Sequence, residues 1–295
     1  MTSVRLAVVT DVHHGADTFT KKGTAALPLL DEFRRFVAEA KPDLVLDLGD
    51  RISDVSREID LALEAEVAEA FRGFAVPVLH IPGNHDRDHL SIADNERLFG
   101  QTMAHEVVDV GDWRVVLWRA DSLIRRPGGF LLTEYDLLAL ARIVTETDRP
   151  LAIVSHVPIS GHSQEGNYWF SANPDAATYP GADRVRAVLR AARVPIVWIA
   201  GHVHWNTATV VDGIPHLTLQ SLTETFTCHP EPAAAWGLLE LSDSILWRVF
   251  GRDPFVFETT AERAGRRWVP PLPRFADHPE HRLRLAARRV EEAAE

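Results

Sequence analysis

Cysteine occurs once, at Cys228, which leaves no intramolecular disulfide and no thiolate metal cluster. That usage fits an ordinary loop thiol in a reducing compartment. No uninterrupted apolar run approaches membrane-spanning length. Residues 6–9 are too short for a signal-peptide core, and Asp11, His13 and His14 follow at once. These absences set the expectation of a soluble, cytoplasmic protein with no membrane association. Positive charge is also scarce, with 31 Lys and Arg against 42 Asp and Glu and a formal charge of −11. Proteins that bind nucleic acid in general neutralise phosphates with clustered cations, so this balance argues against such a surface. An anionic small substrate would need positive charge fixed locally. Internal repeats and low-complexity tracts are missing as well. Histidine, by contrast, is plentiful: 14 against two methionines, several of them beside Asp or Gly at segment ends.

The 295 residues, 46% hydrophobic and 25% charged, have normal globular composition. Residues 5–10 read as a first strand, followed by the polar stretch 11–15. Leu29, Leu30, Phe33, Phe36, Val37 and Ala40 then recur at helical spacing until Lys41-Pro42 stops them. A second strand over 43–48 ends in Gly49-Asp50. A second helix carries Ile59, Leu63, Val67 and Phe71, and a third strand over 76–81 runs into Pro82-Gly83-Asn84-His85-Asp86. After a polar stretch over 87–101, strands at 107–110 and 113–118, a helix over 133–145 and a buried strand at 151–154 lead to Ser155-His156. The long irregular stretch 159–180 follows, and loops of that length are usually functional or mobile. A helix over 182–192 and a strand over 195–200 end in Gly201-His202-Val203-His204. The pattern then becomes purely β, with Asp212-Gly213 marking a hairpin. From about residue 261 the Pro270, Pro271, Pro273 cluster and a charged segment over 281–295 suggest a separate arm or short helix. Residues 1–260 are therefore expected to form one domain and 261–295 an arm, on the domain or in a homo-oligomer contact.

Five apolar strands each end in potential metal ligands: Asp11 with His13, then Asp50, Asn84, His156, and His202 with His204. In open α/β sheets the strand C-termini share one edge, so these groups can converge across nearly two hundred residues. The set mixes carboxylate, imidazole and carboxamide without thiolate, which suits Mn, Fe, Zn or Co. Seven ligands are too many for one tetrahedral ion but fit two ions sharing a carboxylate, for which Asp50 is the central choice. A water between two such ions becomes a hydroxide nucleophile near neutral pH. The spacing of Asp11 and His13 places both on one side of an extended segment, and His202 and His204 can address different ions.

The blocks Asp11-Val12-His13, Gly49-Asp50, Gly83-Asn84-His85-Asp86, Ser155-His156 and Gly201-His202-Val203-His204 resemble, in order, those of the calcineurin-like metallophosphoesterase superfamily. The resemblance spans residues 5–220. It implies an α/β fold, a four-layer α/β/β/α sandwich of two mixed sheets flanked by helices. It implies one metal on Asp11, His13, Asp50 and His204, another on Asp50, Asn84, His156 and His202, and His85 beside the phosphate as donor or general acid. Ala120-Asp121-Ser122, Gly128-Gly129, Arg149-Pro150 and His156-Val157-Pro158 further resemble the cyclic-nucleotide and glycerophosphodiester phosphodiesterases, although Ser155 stands where that branch often has histidine. Many members place an acid three residues after the bridging aspartate, where this chain has Ser53, with Asp54 one later. Asp86 is accordingly expected to orient His85 in place of Asp54.

His162, Tyr168 and Trp169 are candidates for a substrate wall. Arg87, Arg119, Arg125 and Arg126 are weighed as phosphate contacts, though single arginines are more often solvated surface. His80 is expected to be a hydrogen-bonded core histidine and His14 to face away from His13. The expected activity is hydrolysis of a small phosphodiester. Phosphomonoester or pyrophosphate hydrolysis is the alternative, and a non-catalytic scaffold the reading from another class.

Overall fold

Alternate residues of each strand point to opposite faces, and this alternation builds the layers. The computed structural model describes residues 3–125, 128–262 and 274–292. The first half alternates strand and helix: β1 (Val4–Val9), α1 (Ala26–Ala40), β2 (Leu44–Asp47), α2 (Arg57–Arg72), β3 (Val78–His80), the short α3 (His85–Asp88) and α4 (Ile92–Phe99). Next come β4 (Glu106–Val110), β5 (Trp113–Leu117), α5 (Glu134–Glu146), β6 (Leu151–Ser155), α6 (Ala182–Leu189) and β7 (Ile196–Ala200). The purely β part is β8 (Thr207–Val211), β9 (Ile214–Thr218), β10 (Trp236–Leu241), β11 (Ser244–Phe250) and β12 (Phe255–Thr260).

The strands form two six-stranded mixed sheets, ordered β12-β11-β10-β1-β2-β3 and β4-β5-β6-β7-β9-β8. Val4, Leu6 and Val8 of β1 share one buried cluster with Val115, Leu117, Val154 and Ile199 of the other sheet, so this core lies between the sheets. Ala7 and Val9 face the other way, onto Leu30, Phe33 and Val37 of α1 and Val67 and Phe71 of α2. On the second sheet Val116, Ile153 and Trp198 pack against Leu137, Leu140 and Val144 of α5 and Val185 and Leu189 of α6. The result is the four-layer α/β/β/α sandwich. At about 1.5–3 kcal/mol for each fully buried large apolar side chain, these three clusters hold the strand ends in place.

Two elements escape the periodicity. α4 is apolar only at its ends, and its start is set by a capping box between Ser91 and Asp94, its stop by Gly100 in the left-handed region at φ 65°. β12 is an edge strand beside β11 whose Phe255 and Phe257 lean on the inter-sheet core. The expected hairpin forms: β8 and β9 pair antiparallel through Asp212 (φ 52°) and Gly213 (φ 77°). His80 bonds Asp47 (Nδ1 to Oδ2, 2.9 Å) as a core histidine, and His14 Nε2 turns to Glu66 Oε2 at 2.8 Å.

The chain divides into two compact units, residues 1–264 and 265–295. In the second, a single 3-10 turn at Phe275–Asp277 precedes α7 (Pro279–Glu292), with Arg282 Nη2 donating to Asp277 Oδ1 at 3.0 Å. Pro270, Pro271, Pro273, Arg126 and the last three residues of the charged segment lie outside the described residues.

Candidate metal centre

β1, β2 and β3 run parallel, as do β6 and β7, so their C-terminal ends meet at one edge of each sheet. Potential donor atoms of Asp11, His13, Asp50 and His204 lie within 4.8 Å of one another, and those of Asp50, His156 and His202 do the same. Asp50 belongs to both groups. Asn84 joins the second, its Oδ1 3.1 Å from His156 Nε2. The structure thus brings all seven sequence-predicted ligands together, on loops buried beneath a cleft.

The backbone makes this convergence possible. Asp11, His13, Asp50, His202 and His204 all have φ between 47° and 69°. Left-handed conformations cost a non-glycine residue about 1–3 kcal/mol and persist where the surroundings over-determine them. Here they turn each side chain inward at a strand end. They also replace the extended geometry expected at residues 11–13 and send His204 to Asp11 (3.1 Å) while His202 meets His156, ring centroids 5.1 Å apart.

Every imidazole is fixed from behind. His13 Nδ1 faces Ile52 O at 3.3 Å, His156 Nδ1 faces Leu48 O at 2.8 Å, and His204 Nδ1 faces Glu224 Oε2 at 3.1 Å, each leaving Nε2 toward the cluster. His202 is reversed, with Nε2 on Ala176 O at 2.8 Å and Nδ1 left for the centre. Such outer partners set tautomer and ring orientation in metal sites.

The donor chemistry fits a cation. His13 Nε2 and His204 Nε2 are 3.0 Å apart, an approach of two ring nitrogens that requires a shared proton or positive ion. Burial disfavours a charged His156, but the Asp50 carboxylate outweighs it and lifts the ring to about 9. His204 is raised to about 9 in the same way by Asp11 and Glu224. Burial raises the carboxyl of Glu224, yet His204 outweighs this and holds it at about 2. Burial and the charge of His156 push His202 down to about 3.

His85 stands at the cleft side of this centre, its N–H bonded to Asp50 Oδ1 at 2.8 Å. Its Nδ1 pairs with Asp54, which corrects the assignment of Asp86 as orienter. Asp86 is fully buried and turned to the backbone, accepting from the N–H groups of Asp50 (2.9 Å), Arg51 (2.7 Å) and Gly83 (2.7 Å). It clamps the ends of β2 and β3 together. Its remaining charge meets Arg51, whose guanidinium also bonds Asp47 and Glu64.

The cleft above the centre has a volume of about 630 Å³. Tyr168 and Trp169 line it as expected. His162 does not: its ring is tied into its own loop by Ser160 Oγ (2.6 Å) and Gln164 Nε2 (2.9 Å). Nor do the described arginine candidates line it, for Arg119 is bonded to His80 O and Glu106 while Arg87 and Arg125 pair with Asp121. Among the described residues the cation lining the cleft is Lys21, which periodicity and motif could not reveal. Its Nζ is 3.4 Å from His85 Nε2, and burial lowers its pKa against the attraction of Asp50, Glu224 and Asp11.

Residues 4–206 match the family described as Calcineurin-like phosphoesterase. No curated protein matches the chain. Among solved structures it is similar to a dimetal phosphatase from Danio rerio, with 16% identity and a TM-score of 0.70 over 88% of this chain and 99% of that one. A purple acid phosphatase, PPD1 from yellow lupin (Lupinus luteus) seeds, aligns at 16% identity and 0.60, over 86% of this chain and 53% of its own. GAP50, the anchor in the inner membrane complex of Plasmodium, aligns at 14% and 0.58, over 89% and 90%. At these identities the likeness is one of fold.

Proposed function

The chain belongs to the calcineurin-like phosphoesterase family, and from that premise we propose that it is a two-metal phosphoesterase acting on small phosphodiesters. Asp11, His13, Asp50 and His204 would hold one ion, and Asp50, Asn84, His156 and His202 the other. The observation that carries this reading is Asp50, a single buried carboxylate common to two convergent donor groups. Mn, Fe, Zn or Co suits the thiolate-free donor set. Two such ions supply Lewis acidity toward phosphoryl oxygens and a water acidic enough to act as nucleophile near neutral pH.

The protein's own groups do the rest. Asp54 on Nδ1 leaves His85 Nε2 to meet the phosphoryl group or to protonate the departing oxygen. Lys21 adds fixed charge beside it, where charge builds up on phosphate oxygens. The buried floor, with Asp11 and Asp50 almost fully covered, keeps bulk water from competing. The diester preference rests on the likeness of residues 120–122, 128–129, 149–150 and 156–158 to phosphodiesterases. Lys21 favours a second reading, monoester or pyrophosphate hydrolysis, because an extra cation suits a doubly charged terminal phosphoryl group.

Turnover of an aryl phosphodiester, an aryl phosphomonoester and a nucleoside diphosphate, each with added Mn and with chelator, tests both. We expect metal-dependent hydrolysis that is fastest on the diester. A faster monoester or diphosphate would select the second reading, and no turnover with any of several metals would leave a non-catalytic scaffold. His85→Ala should keep both metals while kcat falls by about 10²–10⁴, the range for loss of a general acid.

A further inference from the structure

Four aromatic rings stand at the mouth of the cleft, brought there by three segments distant in sequence. Phe19 is 93% exposed, Tyr168 56% and Trp169 55%, and all three line the cleft together with Phe226. Apolar rings left in water and gathered in one concavity mark a binding surface.

These rings are held, and the way they are held ties them to the metal centre. Phe19 sits at the tip of a tight turn closed by Thr18 N to Lys21 O (3.1 Å) and Lys21 N to Thr18 O (2.8 Å), with φ at 48°. That turn is pinned to the segment carrying Phe226, through Lys22 N to Thr223 O (3.0 Å) and Thr225 N to Thr20 O (3.0 Å). Phe226 lies nearly parallel to Tyr168, ring centroids 6.2 Å apart and planes 16° apart. The loop bearing Tyr168 and Trp169 is anchored on either side. Asn167 Nδ2 donates to Val203 O at 2.8 Å, Asn167 Oδ1 accepts from Trp169 N and Phe170 N, and Phe170 packs on the His202 ring at 5.0 Å.

We propose that this rim is a subsite for a planar ring on the organic part of the ester, so that the substrate is a nucleotide-type phosphate ester and not an aliphatic one. The proposal rests on the phosphoesterase reading for the orientation of the phosphate, which would point past Lys21 to the centre. Planar rings are recognised by stacking on aromatic faces, largely independent of their hydrogen-bonding edges. Insertion of the same rings into a lipid surface is disfavoured, since Asp54, Asp88 and Glu224 line the same cleft and would be stripped of water with them.

The test compares adenosine 5′-monophosphate with ribose 5-phosphate, which has the same sugar and phosphate and lacks the ring. Binding is measured by titration calorimetry on Mn-loaded His85→Ala protein, so that turnover does not consume the ligand. We expect the ring to tighten binding about 10–100-fold, the worth of one base on an aromatic face. Phe19→Ala and Trp169→Ala in that background should each reduce the ratio, and the double variant should bring it near one. Metal content and ribose 5-phosphate affinity report whether the centre is intact in each variant. Equal affinities in the parent, or a ratio that survives the double variant, would overturn the subsite. A preserved ratio in a protein that hydrolyses no ester would instead defeat the phosphoesterase reading and leave the subsite standing.

Discussion

The hydrogen bond between His85 and Asp54 decides which nitrogen of the imidazole is open to the cleft. Asp54→Asn should therefore lower kcat at least tenfold with both metals retained, and an Asp54→Asn enzyme with full activity would remove the pair from the chemistry. The histidines proposed as ligands make a prediction about pH. In the metal-free protein His156 and His204 are raised from 6.5 to about 9, so the stability they contribute is complete below pH 6.5 and lost as pH rises through 9. His202, lowered from 6.5 to about 3, acts oppositely: its contribution is present above 6.5 and lost as pH falls toward 3. The melting temperature of the metal-free protein should peak near pH 6.5 and drop by pH 9. A melting temperature that climbs steadily over that upper range would contradict the assignment. An ion must also displace the protons on His156 and His204, so metal affinity should strengthen with pH up to about 9.

Among the elements, the strand-end loops have no slack. A methyl group added at Gly201 would sit 2.6 Å from Asp11 Oδ2, and one at Gly83 would sit 2.8 Å from Asp50 Cγ. Either alanine must displace a ligand carboxylate. Gly201→Ala and Gly83→Ala are each expected to lose at least one equivalent of metal with the circular dichroism spectrum unchanged, and full loading by elemental analysis would show that the loops yield. Beneath them Arg51 joins β2, α2, α3 and α4 through Asp47, Glu64, Asp86 and Asn95, all fully buried. Arg51→Met leaves three carboxylates without their cation, and breaking such a buried group costs about 3–5 kcal/mol. Urea unfolding measures it, and a loss under about 1 kcal/mol would mean the carboxylates find protons instead.

For the whole molecule, the chain divides near residue 264, and we propose that the first unit carries the whole catalytic domain. A chain ending at Ala264 should fold and bind metal as the full chain does. One ending at Pro254 removes β12, bares the edge of β11 and uncovers the inter-sheet core that Phe255 and Phe257 shield. It should melt at lower temperature and aggregate. Equal behaviour of the two truncations would place the domain boundary before β12.

Strand ends and ligands were legible in the sequence because both are local signals. An apolar run that stops at Asp50 or His156 reports burial and its end in a few residues, and apolar residues at helical spacing report the helices between. Those signals sufficed for the alternating first half, the β-rich second half and the candidate donors, while the four-layer sandwich was implied by the resemblance of the ordered blocks to the calcineurin-like superfamily. Tyr168 and Trp169 were singled out, but Asp54, Lys21, Glu224 and the rim residues Phe19 and Phe226 were not legible, and His162 was misread, because their roles depend on which distant segment each meets. Glu224 reaches His204, and Lys21 reaches His85, only after strands distant in sequence pair into sheets and left-handed turns at the strand ends aim the side chains. The sequence by itself determined the order of strands and helices and the candidate donors; tertiary packing alone decided what orients them and which side chains line the cleft above them, since orientation is a property of contacts between segments that no local pattern encodes.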